Sequence, residues 1–166
     1  MSAEQLRPGA RIAAVHEAGH AVVAVHLGVP VDRVRLSSYW IDPLSTSWES
    51  DFSGGGVSYL PSETRQLTEH AITTAAARVA VDTLVRPGAH PEMAYTDDEN
   101  CLREIADELK VSDFQEWRLG VVERAREIVS IGSVREAILR VADDLQATPL
   151  KDGLTGEQVR QVLRIA

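Results

Sequence analysis

The chain is 166 residues long, with 44% hydrophobic and 25% charged residues, a balance that suits one folded domain with a real core. Its formal net charge of −8 argues against sequence-independent nucleic-acid binding, which needs a basic face, and against docking on anionic lipid. The single cysteine, Cys101, excludes an intramolecular disulfide and a thiolate zinc cluster, and fits a reducing, cytoplasmic setting.

Met1 to Ala10 is polar and lacks the apolar stretch of a signal peptide, so residues 1–10 are expected to form a flexible tail. Arg11 to Leu27 reads as a helix that is apolar nearly all round and therefore buried, with Gly28 and Pro30 ending it. Its apolar run, Ala13 to Val25, is broken by His16, Glu17 and His20 and is too short and polar to span a bilayer. Val31 to Leu36 alternates as a half-buried strand does. Ser37 to Gly56 reads as a long loop, and Val57 to Leu60 as a short strand stopped by Pro61. Ser62 can cap a long helix reaching about Val85.

Pro87, Gly88 and Pro91 make Arg86 to Tyr95 a loop. Thr96 with Glu99, and Ser112 with Gln115, have the spacing of capping boxes for two further helices, the first running from Asp97 to about Lys110. Helical periodicity then continues to about Gln146, with a break expected near Ile131-Gly132-Ser133. Thr155 with Gln158 caps the last helix. The expected fold is a single domain, 1–166, mainly α with a small β-sheet.

The sequence His16-Glu17-Ala18-Gly19-His20 is an HExxH pattern. Residues four apart lie one turn up on the same helix face, so two imidazoles converge on one tetrahedral zinc and leave two positions for other ligands. Glu17 lies about 100° round the axis from His16, which sets its carboxylate beside the metal rather than on it. From there it can take a proton from a zinc-bound water, as general base and then general acid. Two histidines and a glutamate inside an apolar helix are costly without such a purpose.

A catalytic zinc usually takes three protein ligands. His26 has the spacing of the third histidine in HExxHxxGxxH, but Val23 replaces the glycine where that pattern turns out of the helix. If the helix continues, His26 points about 120° away from His20 and sits roughly 9 Å further along, out of reach. The other source is a carboxylate of the TDDEN stretch, where Asp97, Asp98 and Glu99 stand at a helix start whose dipole favours the ionised form. Acids also favour a helix start for its own sake, so this stretch by itself leaves the third ligand open.

HEAGHAVVAVHL followed by VDRVRL resembles the start of the peptidase domain of FtsH-type ATP-dependent zinc proteases. GGGVSYLP resembles that family's next strand, AARVAVDTL its Gly-Gly-Arg-x-Ala-Glu-Glu helix, and TDDENCLREIA the segment supplying its third zinc ligand. VVERAREIV and LTGEQVRQVL resemble its closing helices, so the likeness runs in order over most of the chain. HEAGH is specific, and the later matches are individually weak. The resemblance implies a zincin-like helical metallopeptidase domain, one Zn2+ per chain, and, on alignment at Ile105-Ala106, Asp98 as third ligand with Asp97 as the alternative. It also implies that substrate lies extended along a strand, here Val57, Ser58, Tyr59 and Leu60, held by main-chain hydrogen bonds with loose side-chain preference.

The chain departs from the family in several places. It has no GxxxxGK[ST] loop, and with fifteen residues before His16 a membrane anchor is not expected. Val81 replaces the first acid of the Glu-Glu pair, the loop Ser37 to Gly56 is longer, and the stretch Lys110 to Val121 is much shortened. Hexameric assembly is therefore not carried over, and a homo-oligomer stays open. Of the remaining residues, His70 and His90 read as plain surface or packing histidines. Cys101 reads as buried and inert, and Asp143 with Asp144 as a solvated helix face. Trp40, Trp48 and Phe52 could cover a cleft or simply pack their own loop.

The expected function is a zinc endopeptidase acting, without ATP on its own, on unfolded polypeptides or peptides. The alternative is an inactive relative that keeps the zinc site as a binding or adaptor module. A separate ATPase that delivers substrate is the remaining partner idea; neither nucleic acid nor membrane is expected.

Overall fold

The computed structural model describes residues 8–36, 64–88, 96–148 and 152–166. Residues 1–7, the candidate substrate strand 57–60, the aromatic loop residues Trp40, Trp48 and Phe52, and His90 lie outside the described residues. Among those described, six helices and two short strands form a mainly helical α+β arrangement.

Helix α1, Pro8–His26, is the centre of the packing. Ala13, Ala14, Val15, Ala18, Ala21, Val22, Val23 and Ala24 are all fully buried, as expected for a helix apolar on every side. It packs chiefly against α2, Thr64–Leu84, and α5, Gly132–Ala147. Its C-terminus closes as a Schellman motif. Gly28 at φ 77° turns the chain, its N–H donates to Val25 O at 3.1 Å, and that of Val29 donates to Ala24 O at 2.8 Å. The helix therefore stops where Gly28 and Pro30 predict.

The strand expected over Val31 to Leu36 is ladder-paired only as β1, Arg33–Val34. Its partner comes from the far end of the chain: β2, Leu154–Thr155, runs antiparallel to it with Arg33 opposite Thr155 and Val34 opposite Leu154. The N–H of Gly156 extends the contact by donating to Asp32 O at 2.9 Å. Val31, Val34 and Leu36 face the interior and Asp32, Arg33 and Arg35 face out, so the alternation is imperfect and pairing is short.

Helix α3, Thr96–Glu108, carries Leu102, Ile105 and Ala106 on its buried face. It ends with Lys110 in the left-handed region at φ 56°. Helix α4, Phe114–Val129, starts one residue later than the Ser112–Gln115 box predicts. Asp113 is the cap, and its carboxylate accepts from the N–H of Glu116 at 3.0 Å. An ionised side chain at a helix N-terminus gains from the dipole as well as the hydrogen bond, which a serine hydroxyl does not. The expected break near Ile131 is present, between α4 and α5. Thr155 and Gln158 form a reciprocal capping box at the start of α6, Gly156–Ile165. No helix among the described residues is long and apolar enough to cross a membrane.

Candidate metal centre

His16 and Glu17 are buried in α1, at 2% and 3% exposure, and His20 one turn on is partly buried. What lets these polar groups sit so deep is the close approach of α2. A Cβ on Gly19 would lie 3.0 Å from Ala80 Cβ and 3.1 Å from Ala76 O and Ala77 Cα. Gly19 on α1 and the small residues Ala76, Ala77 and Ala80 on α2 thus bring the two backbones together. The crossing puts the Thr73 carbonyl 3.0 Å from His20 Nδ1. A carbonyl only accepts, so Nδ1 carries the proton it donates, and in the neutral ring Nε2 keeps its lone pair for a metal.

The two imidazole rings stand edge to face, with centroids 4.8 Å apart. Helix α3 brings its first turn against them. His16 Nε2 lies 3.5 Å from Asp98 Oδ2, and His20 Nε2 lies 3.5 Å from Asp98 Oδ1. One ligand atom from each of His16, His20 and Asp98 falls within 4.8 Å of the others. Two donors each about 2.1 Å from a tetrahedral ion lie ~3.4 Å apart. The two 3.5 Å distances, one to each oxygen of Asp98, are close to that figure and long for direct charged hydrogen bonds, within a set whose atoms spread over up to 4.8 Å. The donor set, two imidazole nitrogens and a carboxylate, is one that zinc accepts. By spacing and chemistry the three residues fit a single divalent ion.

Glu17 points its carboxylate into the same buried region, and its Oε2 has no hydrogen-bond partner among the described residues. Burial pushes its carboxyl up from 4.5 to about 8, with His20 pulling it back and Asp98 adding to the rise. Burial would push His20 down, but Asp98 and Glu17 outweigh it and raise the imidazole from 6.5 to about 9 in the metal-free chain.

The other candidates fall elsewhere. His26 is exposed at the end of α1, and Asp97 is exposed beside Asp98; neither joins the cluster. His70 is half-buried on α2 and is not part of it. Cys101 is half-buried rather than buried, with Sγ 3.7 Å from Thr74 Oγ1, and burial raises its thiol so that it stays neutral. Asp143 is solvated as expected, yet it also accepts from Arg11 Nη1 at 2.6 Å and ties the start of α1 to α5. Val81 is fully buried in the core, next to the Ala80 that meets Gly19.

Three features of the site were not read from the sequence: the Thr73 carbonyl, the Gly19 crossing, and a two-point pair from Arg118 to Glu99 beside Asp98. Only the Gly19 crossing left a trace there, as a glycine in one helix and an alanine run, 75–77, in the other. No known protein-family model matches the chain, and no curated protein matches it closely enough to count as a relative.

Proposed function

We propose that the chain is a zinc-dependent endopeptidase that hydrolyses peptide bonds of unfolded polypeptides. The observation that carries this reading is the convergence of His16 Nε2, His20 Nε2 and the Asp98 carboxylate around one point, with the buried carboxylate of Glu17 alongside. Zinc held there supplies the Lewis acidity that polarises the scissile carbonyl and acidifies the attacking water.

The chain's own residues do the rest. Thr73 O holds the His20 ring through Nδ1–H, which fixes its orientation and raises its basicity as a ligand. Glu17 accepts the proton of the attacking water at its carboxylate and returns it to the leaving amine. Its raised pKa makes it a stronger base than an exposed glutamate, and with a dication bound beside it the value would be lower. The buried Ala and Val side chains of α1 keep bulk water from the histidines and strengthen these interactions.

A purified sample is expected to bind about one zinc per chain, as sites of this type do, and to cleave casein without nucleotide. Glu17→Gln is expected to keep the metal and lose activity by ~10²–10⁴-fold, the usual worth of a general base. Normal cleavage by that variant would overturn the mechanism. A second reading, a zinc-retaining binding module, is favoured by the apolar Val81. Stoichiometric zinc with no hydrolysis of any unfolded substrate would select it.

A further inference from the structure

We propose that Arg118 is a positioning residue for the metal centre: it grips Glu99 and so holds the first turn of α3 where Asp98 meets His16 and His20. The proposal rests on the metal-site reading above and adds to it the group that sets the third ligand.

Glu99 follows Asp98 directly in the first turn of α3. Arg118 stands on α4, 19 residues away in sequence. Its Nε donates to Glu99 Oε1 at 2.7 Å and to Oε2 at 2.9 Å, and Nη2 donates to Oε1 as well. A guanidinium gripping both oxygens of a carboxylate fixes angle as well as distance, which a single contact does not. The two side chains are 22% and 28% exposed, so the pair is screened less than a surface one.

Among the described residues, the other pairs made by arginines of α4, α5 and α6 have a different reach. Arg124–Glu127, Arg126–Glu123, Arg140–Glu136 and Arg160–Glu157 each join residues three or four apart on one helix, and Arg164–Glu157 joins residues seven apart on α6. Such pairs cannot hold one helix against another. The Arg118–Glu99 pair does, and it acts one residue from the candidate ligand.

Arg118 also borders a cleft of about 260 Å³ lined by Arg78, Asp82, Thr83, Val122 and Arg126. With open space on that side, the side chain is not wedged in place by packing alone. In the same cleft, Asp82 lies 3.7 Å from Arg78, and Arg126 donates at 2.6 Å to Glu123, which does not line it. The nearby acids thus have their own arginines, and Arg118 is matched to Glu99.

The test compares Arg118→Gln with Arg126→Gln, which removes an arginine from the same cleft but breaks a pair confined to α4. Zinc affinity is measured by chelator competition on the full chain, and Tm on the metal-free chain. Arg118→Gln is expected to weaken zinc by ~10–100-fold, the usual cost of losing an outer-shell partner. Its metal-free Tm is expected to fall somewhat further than that of Arg126→Gln, since the pair is less exposed and joins two helices, but the loss of zinc affinity should exceed what that fall accounts for. The cobalt-substituted protein should show a changed absorption spectrum in Arg118→Gln alone. Exchanging the charges, Arg118→Glu with Glu99→Arg, is expected to recover affinity relative to either single change. Equal zinc affinity in Arg118→Gln and Arg126→Gln overturns the proposal and leaves the metal site standing. So does a loss of affinity that tracks a matching fall in metal-free Tm with no recovery on exchange. A wild-type chain that takes up no zinc overturns both readings together.

Discussion

His16 and His20 stand on a helix fully buried along most of its length, whereas Asp98 stands on the first turn of a helix whose outer side faces solvent. The histidines are fixed by close packing: Gly19 against Ala76, Ala77 and Ala80, and the Thr73 carbonyl against the His20 ring. On the α3 side, Leu102, Ile105 and Ala106 pack inward, and polar ties from Glu99 to Arg118 and from Cys101 to Thr74 add to this near Asp98. Two of the candidate ligands thus belong to the rigid interior and one to a helix start that polar contacts help to hold. Changes on the α1–α2 side should therefore cost fold stability, and changes on the α3 side should cost metal affinity.

The largest expected effect is on the α3 side. Asp98→Ala should weaken zinc by more than ~100-fold, beyond the usual cost of an outer-shell change. Asp97→Ala, one residue away and exposed, should leave zinc affinity within about twofold, since nothing ties it to the imidazoles. Titration of both variants with zinc checks this, and equal losses would break the distinction between them.

The next effect falls on the interior. Gly19→Ala places a methyl against Ala80 and the α2 backbone, and overpacking of this kind costs roughly 1–3 kcal/mol. For a chain of this size that lowers Tm by about 2–12 °C. Thermal melts of the metal-free variant measure it, and an unchanged Tm would mean that the helices need not approach so closely.

Acidity sharpens the same contrast. Glu17 and His20 both bind their proton more tightly in the folded metal-free chain than in the unfolded one, at about 8 against 4.5 and about 9 against 6.5. The stability from Glu17 protonation is full below 4.5 and lost as pH rises through about 8; that from His20 is full below 6.5 and lost through about 9. Metal-free Tm should accordingly fall as pH rises across this window. Zinc must displace the His20 proton, so its affinity should rise over the same window. Melts with and without zinc across that range test both signs, and a metal-free Tm that climbs with pH would contradict them.

The smallest effects are expected far from the ligands. Lys110→Gly relieves a side chain at φ 56° at the end of α3 and should add about 0.5–1 kcal/mol, because glycine's extra unfolded freedom offsets part of the gain. Zinc affinity should not change, since the first turn of the helix is untouched. Arg140→Gln, which breaks an exposed pair with Glu136, should shift stability by less than about 0.5 kcal/mol.

Much of the helical framework was legible along the chain because the signals are local. The apolar run through Val23, the Gly28–Pro30 stop and the Thr155–Gln158 box each involve residues within a turn or two of one another. The cap of α4 falls on Asp113 rather than Ser112, two good cappers side by side, and Thr96, expected to cap α3, is instead its first helical residue, with Glu99 turned to Arg118. The pairing of β1 with Leu154–Thr155 was not legible. Two-residue strands carry almost no periodicity, and nothing local links positions more than a hundred residues apart.

The site divides along the same line. Sequence alone set His16, Glu17 and His20 on one helix, since the spacing of four is itself a statement about which face a side chain occupies. Among Asp97, Asp98 and Glu99 the residues left the choice open, and the selection of Asp98 came from the resemblance at Ile105-Ala106. Only the tertiary structure brought that carboxylate to 3.5 Å from both imidazoles. Only the tertiary structure gave His20 a backbone carbonyl and Glu99 an arginine from another helix. Local periodicity determines where a side chain points from its own axis. Which groups it then meets depends on how separate helices cross, and here the size of Gly19 and the alanines opposite it decides that crossing.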